Sequence, residues 1–168
     1  CGVCDGFGAT EFCWNGDLVC STDECSIQPD NYPSWDVNGD GVLDNYNDYE
    51  NNGSITARVY NEDIDVTSFG DMIAVFGPSY DDLGYFDGEQ EQRGVAIAEE
   101  VPLFLGGGYI FLVMVYSNAL DNEELTFKYY SSANDELLDI KNTIDFSNNM
   151  IVGDALNPIY LEIENDID

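Results

Sequence analysis

From Ser54 onward the chain alternates apolar and polar residues with the period of a half-buried β-strand. Ile55, Ala57 and Val59 fall in step against Thr56, Arg58 and Tyr60, so one side of an extended segment is apolar and the other is not. Leu125, Phe127 and Tyr129 repeat the pattern against Thr126, Lys128 and Tyr130, after an Asp121-Asn122 turn. Met72 to Phe76 reads as a compact apolar strand closed by Gly77-Pro78, and Ser79 to Gln92 as a long acidic loop. Arg93 to Ala98 reads as another strand, with Val95 and Ile97 on one face. Gly106-Gly107-Gly108 breaks the chain before Tyr109 to Tyr116, the best candidate for a central strand. Shorter strands are expected around Leu137 to Ile140, Ile144 to Phe146 and Ile159 to Ile163. About eight strands with turn signals every ten or so residues predict an all-β fold, a two-sheet antiparallel β-sandwich. Its two sheets would bury their alternating faces against each other.

The texture ahead of this region is different. Residues 1–35 carry Gly, Asp and Cys with scattered aromatics and no lasting period, as short disulfide-held hairpins would, and Asp30 to Trp35 with Pro29 and Pro33 reads as a stiff connector. The predicted organisation is a disulfide-rich head (1–35), a calcium-binding loop and connector (36–53) and a β-sandwich domain (54–168). All five cysteines, Cys1, Cys4, Cys13, Cys20 and Cys25, fall in the head. Such clustering staples a segment too short for its own core and points to an oxidising, extracellular setting. The odd count leaves one cysteine over: Cys1 pairs with something upstream or in a neighbouring chain, or one thiol is free. Zinc is the rival reading of Cys1-x2-Cys4, but the irregular spacing of Cys13, Cys20 and Cys25 and the lack of His weigh against it.

Charge narrows the partners. The chain has 34 Asp and Glu against 4 Lys and Arg, a formal charge of −30. No cationic stripe for nucleic acid can be built from Arg58, Arg93, Lys128 and Lys141, and an anionic membrane surface would repel the chain. Hydrophobic residues are nonetheless 44 % of the total and aromatics 13 %, too many for a solvating acidic tail. Bound divalent cations and a saline setting are the two physical ways to tolerate such a charge. The longest apolar stretch, Tyr109 to Tyr116, is too short to cross a bilayer, so membrane insertion is not expected. A targeting signal is expected to have been removed or to lie outside this chain.

The sharpest motif is Asp36-Val37-Asn38-Gly39-Asp40-Gly41-Val42-Leu43-Asp44. Calcium is a hard cation that takes six to eight oxygen ligands, and alternating Asp and Asn on a tight loop supply them. Asp36, Asn38 and Asp40 hold the first, third and fifth places, Gly41 allows the turn, Val42 offers its carbonyl and Asp44 its carboxylate. An EF-hand would close with a bidentate Glu at the twelfth place. Here that residue is Asn47, followed by Asp48, so Asp48 chelates only if the loop is one residue longer. The bland alternative is a cluster of Asx turns holding no ion. The carboxylates of Asp81, Asp82, Asp87, Glu89 and Glu91 lack this pattern and read as a solvated loop first and a second cation site second.

Cys1-Gly2-Val3-Cys4-Asp5-Gly6, then Trp35 and the Asp36–Asp44 loop, resemble the cysteine repeats and calcium loops of large secreted surface proteins of environmental bacteria. The loop itself is similar to dockerin and thrombospondin type 3 loops at Asp36, Asn38, Asp40, Gly41 and Asp44. Residues 71–76, 93–96, 111–116 and 125–130 resemble a sandwich module of the same kind of protein. The resemblance implies an adhesive or architectural role, since such folds host many functions.

Three classes of function follow. With no His, and no Ser or Cys in a recognisable nucleophile motif, catalysis is not expected. A carbohydrate-binding or adhesive module would use the 11 Tyr and 2 Trp as stacking surfaces, although Tyr109, Tyr116 and Tyr129 fall in strands where core packing is the duller role. The leading expectation is a self-associating filament or matrix subunit, with copies of itself as partner. The tail from Tyr160 to Asp168 alternates and would add a strand to a neighbour's sheet or, as slightly favoured, complete its own.

Overall fold

The alternation at Ile55, Ala57 and Val59 becomes the spine of a sheet. The computed structural model describes residues 11–14, 17–80 and 85–165. In the head, β1 (Glu11–Phe12) and β2 (Leu18–Val19) pair as a small antiparallel hairpin. After them come β3 (Asn51–Asn61), β4 (Ile64–Asp65), β5 (Met72–Tyr80), β6 (Phe86–Ile97), β7 (Glu99–Glu100) and β8 (Tyr109–Ser117). The chain continues through β9 (Asp121–Ser131), β10 (Glu136–Asp139), β11 (Ile144–Ser147), β12 (Ile151–Val152) and β13 (Ile159–Glu162). One sheet runs β10-β9-β5-β6 with β11 also on β9, and the other runs β12-β3-β8-β7 with β4 and β13 also on β3. The architecture is the all-β sandwich the periodicity predicts.

Between the sheets lie the residues that share an alternating phase. Ile55, Ala57 and Val59 of β3 and Phe111, Val113 and Val115 of β8 meet Ile73 and Val75 of β5 and Leu125, Phe127 and Tyr129 of β9. All are essentially buried, which is the main source of stability at roughly 25 cal/mol per Å² of apolar surface removed from water. On one side of the sandwich the edge strand β6 comes against β8, which among the described residues is flanked beyond β3 only by the two-residue β7. A side chain on Gly94 would lie 2.5 Å from the Met114 carbonyl oxygen, so only glycine allows this approach. On the other side β13 joins the sheets. It pairs with β3, and the Lys141 N–H donates to the Glu162 carbonyl (2.8 Å) while the Glu164 N–H donates to the Asp139 carbonyl (2.8 Å).

Several details differ from the sequence reading. β12 and β13 lie parallel to β3, whereas the other pairings among the described residues are antiparallel. Parallel neighbours need a crossover, which the connections after β11 supply. β3 starts at Asn51 rather than Ser54, because residues 51–53 still pair with Val115–Ser117. β5 does not stop at Gly77-Pro78 but reaches Tyr80, and the second half of the expected acidic loop is the facing strand β6. β9 leaves β5 after Phe76, so Pro78 has only β6 as a strand neighbour and its missing N–H is tolerated. The tail is the last strand of its own sandwich: Leu161 and Ile163 are buried in the core, and donation to a neighbour would break the bonds on both flanks.

Candidate functional site

The Asp36–Asp44 segment folds on its own amides. Asp36 is only 2 % exposed. Its Oδ1 accepts from the N–H groups of Gly39 (2.8 Å) and Asp40 (3.3 Å), and its Oδ2 from that of Gly41 (2.6 Å). The Asn38 Oδ1 accepts from the Asp40 N–H (3.0 Å), and the Asp40 Oδ1 from the Val42 N–H (2.8 Å). Asn38 Nδ2 donates to Asp40 Oδ2 (3.2 Å), and the Val37 N–H donates to Asp44 Oδ2 (3.2 Å). Gly39 and Gly41 take φ of 73° and 76°, the left-handed values that wind the chain around Asp36. Asp36, Asn38, Asp40 and Asp44 are therefore drawn into one small loop. Asn47 and Asp48 lie on the following 3-10 turn, Tyr46–Asp48, where the Asp48 carbonyl accepts from Asn118 Nδ2 (3.3 Å). Among the described residues no group of three His, Cys, Asp or Glu side chains is gathered as a metal cage.

The loop has a definite seat. Leu43 is buried, and residues 40–43 cover the seam between β6 and β8 above a cavity of about 230 Å³ that Leu112 and Met114 also line. The connector before the loop lies on the outer face of the β10-β9-β5-β6 sheet. Trp14 stacks edge-on to Tyr32 (centroids 4.6 Å) and Tyr32 edge-on to Tyr130 (5.5 Å), while Trp35 meets Phe76 (6.3 Å). Gln92 Nε2 donates to the Trp35 carbonyl (2.7 Å), and Asn31 Nδ2 to the Asp135 carbonyl (2.8 Å). Burial raises the pKa of the Tyr32 hydroxyl, and the Asp36 carboxylate raises it further. In the head, Cys13 and Cys25 form a disulfide, and Cys20 is disulfide-bonded as well. Cys1 and Cys4 lie outside the described residues.

All four basic side chains are paired with carboxylates: Arg58 with Asp65 (2.8 Å), Lys128 with Asp139 (2.7 Å), Lys141 with Glu162 (2.9 Å) and Arg93 with both Glu91 and Glu123. Of the second acidic stretch, Asp81 and Asp82 lie outside the described residues. Glu91 is held by Arg93 Nη1 at 2.7 Å, and Asp87 accepts from Ser79 Oγ and the Glu89 N–H, both at 2.9 Å.

Two buried polar knots were not anticipated. Arg93 Nε bonds Glu123 Oε1 (2.8 Å), with side chains only 4 % and 2 % exposed. Arg93 Nη2 reaches the Pro78 carbonyl (2.7 Å), Ser117 Oγ donates to Glu123 Oε2 (3.0 Å), and the guanidinium lies 5.0 Å from the Tyr49 ring centroid. At the other end, Asp71 accepts from the Tyr129 hydroxyl (2.5 Å), the Ser68 N–H (2.7 Å) and the Ser132 N–H (2.9 Å). Glu123 is in phase with Leu125, Phe127 and Tyr129, and Asp71 with Ile73 and Val75. A charge on the apolar phase at a strand end was the available signal. Arg93 left none, because it is the extra residue of a β-bulge: Val75 faces Gly94 and Phe76 faces Gln92.

Among the described residues no helix is long and apolar enough to cross a membrane. Compared with protein-family models, curated proteins and solved structures, the chain matches none of them.

Proposed function

We propose that this chain is a non-catalytic structural module of a secreted or cell-surface assembly, braced by disulfides and one calcium ion, that packs against copies of itself. The observation that supports it most is the position of the Asp36–Asp44 loop, which follows directly on Trp35, itself held by Gln92 of β6, and which sits on the β6–β8 seam through Leu43. A carboxylate offers about four lone-pair sites, and Asp36 uses three of them on amides. Calcium would take the remaining oxygens of Asp36, Asn38, Asp40 and Asp44 with the Val42 carbonyl, and Asp48 is the next carboxylate along the chain. Its charge would offset the repulsion of three aspartates that have no basic side chain beside them. The cation would then brace the joint where head, loop and both sheets converge.

Calorimetry of the parent and of the double variant Asp36→Asn, Asp40→Asn tests this reading. The parent is expected to bind one calcium and to gain about 2.7 kcal/mol of stability at a hundredfold excess over Kd, whereas the double variant shows neither. Equal heats for the two proteins would sink the calcium site.

A glycan-binding module is the second reading, and the exposed Tyr160 beside Tyr60 favours it. Those rings are 4.5 Å apart and tilted by 53°, so they pack on one another rather than side by side as a platform for sugar rings. Self-association keeps the first place.

A further inference from the structure

Aromatic rings from distant parts of the chain meet where the head lies on the β10-β9-β5-β6 sheet. Trp14 of the head, Tyr32 of the connector and Tyr130 of β9 line one groove of about 510 Å³, and Phe69, Met72 and Ile97 complete its apolar wall. That volume is in the range of sites for small ligands. Successive rings stand at steep angles, 68° between Trp14 and Tyr32 and 80° between Tyr32 and Tyr130. Tyr130 and Met72 are buried and form the floor, whereas Phe69 is 77 % exposed and stands at the rim.

Electrostatics select the sign of the occupant. Asp17 is the charged residue of the lining, and no Lys or Arg is among the described residues that line it. The carboxylates of Asp135 and Asp36 stand behind the rings: after burial, they are the next causes that raise the pKa of Tyr130 and of Tyr32. A cation gains both from these carboxylates and from the negative faces of the rings. The chain places none of its own there. Arg58, Arg93, Lys128 and Lys141 are paired elsewhere, and Arg93 lies over the Tyr49 ring instead. A formal charge of −30 raises the local concentration of any cation from solution.

Hydrogen bonding selects the kind of cation. The Tyr130 hydroxyl donates to Asp135 (2.9 Å), Ser132 Oγ to the Phe69 carbonyl (2.8 Å) and Trp14 Nε1 to the Ser26 carbonyl (2.8 Å). These polar atoms of the wall are thus already engaged within the protein. An ammonium or guanidinium group would bury N–H donors against rings and hydrocarbon that cannot accept them. A fully methylated ammonium has no N–H to satisfy and is drawn to ring faces by its charge alone.

We infer that this groove binds a quaternary ammonium group carried by a small molecule, with Trp14, Tyr32 and Phe69 around it and Tyr130 beneath. Such a site goes beyond the structural role proposed above, and it requires neither calcium nor self-association.

Calorimetric titration of the full chain with choline tests the site. Ionic strength is held constant with sodium chloride, so that general attraction to the acidic surface is equal in every arm. The comparisons are the neutral analogue of choline in which carbon replaces the ammonium nitrogen, the variants Phe69→Leu and Tyr32→Leu, and vesicles of phosphatidylcholine. The parent is expected to bind one choline, and its neutral analogue about tenfold more weakly, as loss of a desolvated cation–ring attraction implies. Each variant keeps an apolar side chain but loses a ring face, and should weaken choline binding about threefold or more. Phe69 is exposed, so Phe69→Leu keeps the fold and decides the case if Tyr32→Leu lowers the melting temperature. Equal affinity for choline and its neutral analogue overturns the assignment and leaves a plain apolar groove. Absence of choline binding by the parent, or unchanged affinity in Phe69→Leu, overturns it too. Capture by the vesicles without binding of free choline gives the groove to a lipid surface and overturns the small-molecule site. None of these outcomes alters the calcium heats or the association state, so failure here is distinguishable from failure of the structural reading.

Discussion

The outer faces of the two sheets began with the same kind of residue and ended differently. On the β10-β9-β5-β6 sheet, Met72, Val95 and Tyr130 point away from the sandwich interior yet are buried, because Tyr32, Trp35 and Ile97 pack over them as a second cluster. On the β12-β3-β8-β7 sheet, Leu112 and Met114 also point outward, and they remain substantially in water beside Ser54 and Thr56. What separates the faces is the path of residues 29–43, which cross the first and only border the second. The first sheet therefore has two apolar interfaces and the second has one. Trp14, Tyr32 and Trp35 thus form a covering layer over the first sheet, and the Cys13–Cys25 disulfide sits beside that layer.

The largest effect is expected where the covered face is thickest. Tyr130→Ala removes a ring packed against Tyr32 and a hydroxyl that donates to Asp135 at 2.9 Å. It should lower the unfolding free energy in urea by about 3 kcal/mol, as aromatic-to-alanine changes in cores do. A loss below about 1 kcal/mol, the value of the hydrogen bond alone, would show that the head does not pack there in solution.

Alkaline pH should weaken the covered layer by a smaller amount. Burial, and then Asp135, raises the pKa of Tyr130, while burial, and then Asp36, raises that of Tyr32. Tyrosine is neutral when protonated, so a folded value above the unfolded value near 10 stabilises the fold fully below pH 10. That contribution is lost as pH rises above about 10 through the folded values. Urea midpoints should accordingly fall beyond pH 10, and Tyr130→Phe should flatten the fall. An unchanged slope in this variant would remove Tyr130 from the account.

The open face should respond least. Met114→Ser is expected to change stability by no more than about 0.5 kcal/mol, as surface substitutions do. A loss approaching that of Tyr130→Ala would mean that this face too is covered in solution.

Much of this architecture was legible because a strand's side chains alternate strictly. Ile55 to Val59 and Leu125 to Tyr129 declare an inner and an outer face before any partner is known. The loop motif was legible for a related reason: the partners of Asp36 are amides three to five residues away, so local spacing suffices. The bulge at Arg93 was not legible, since it depends on how β5 and β6 come into register. Nor was the continuation of β5 through Pro78, which depends on β9 having already departed.

The sequence by itself therefore determined the alternating rows of β3, β8 and β9 and the wound loop at Asp36, because each rests on a pattern along a single segment. Only the tertiary structure decided which outer face the head covers, that the tail joins β3 in parallel and closes one side, and that Arg93 turns inward to Glu123. Those outcomes are competitions between surfaces far apart in the chain. An outward apolar residue such as Met72 or Met114 carries no mark of whether another segment will reach it. The five residues from Pro29 to Pro33 and the loop behind them made that choice by where they run.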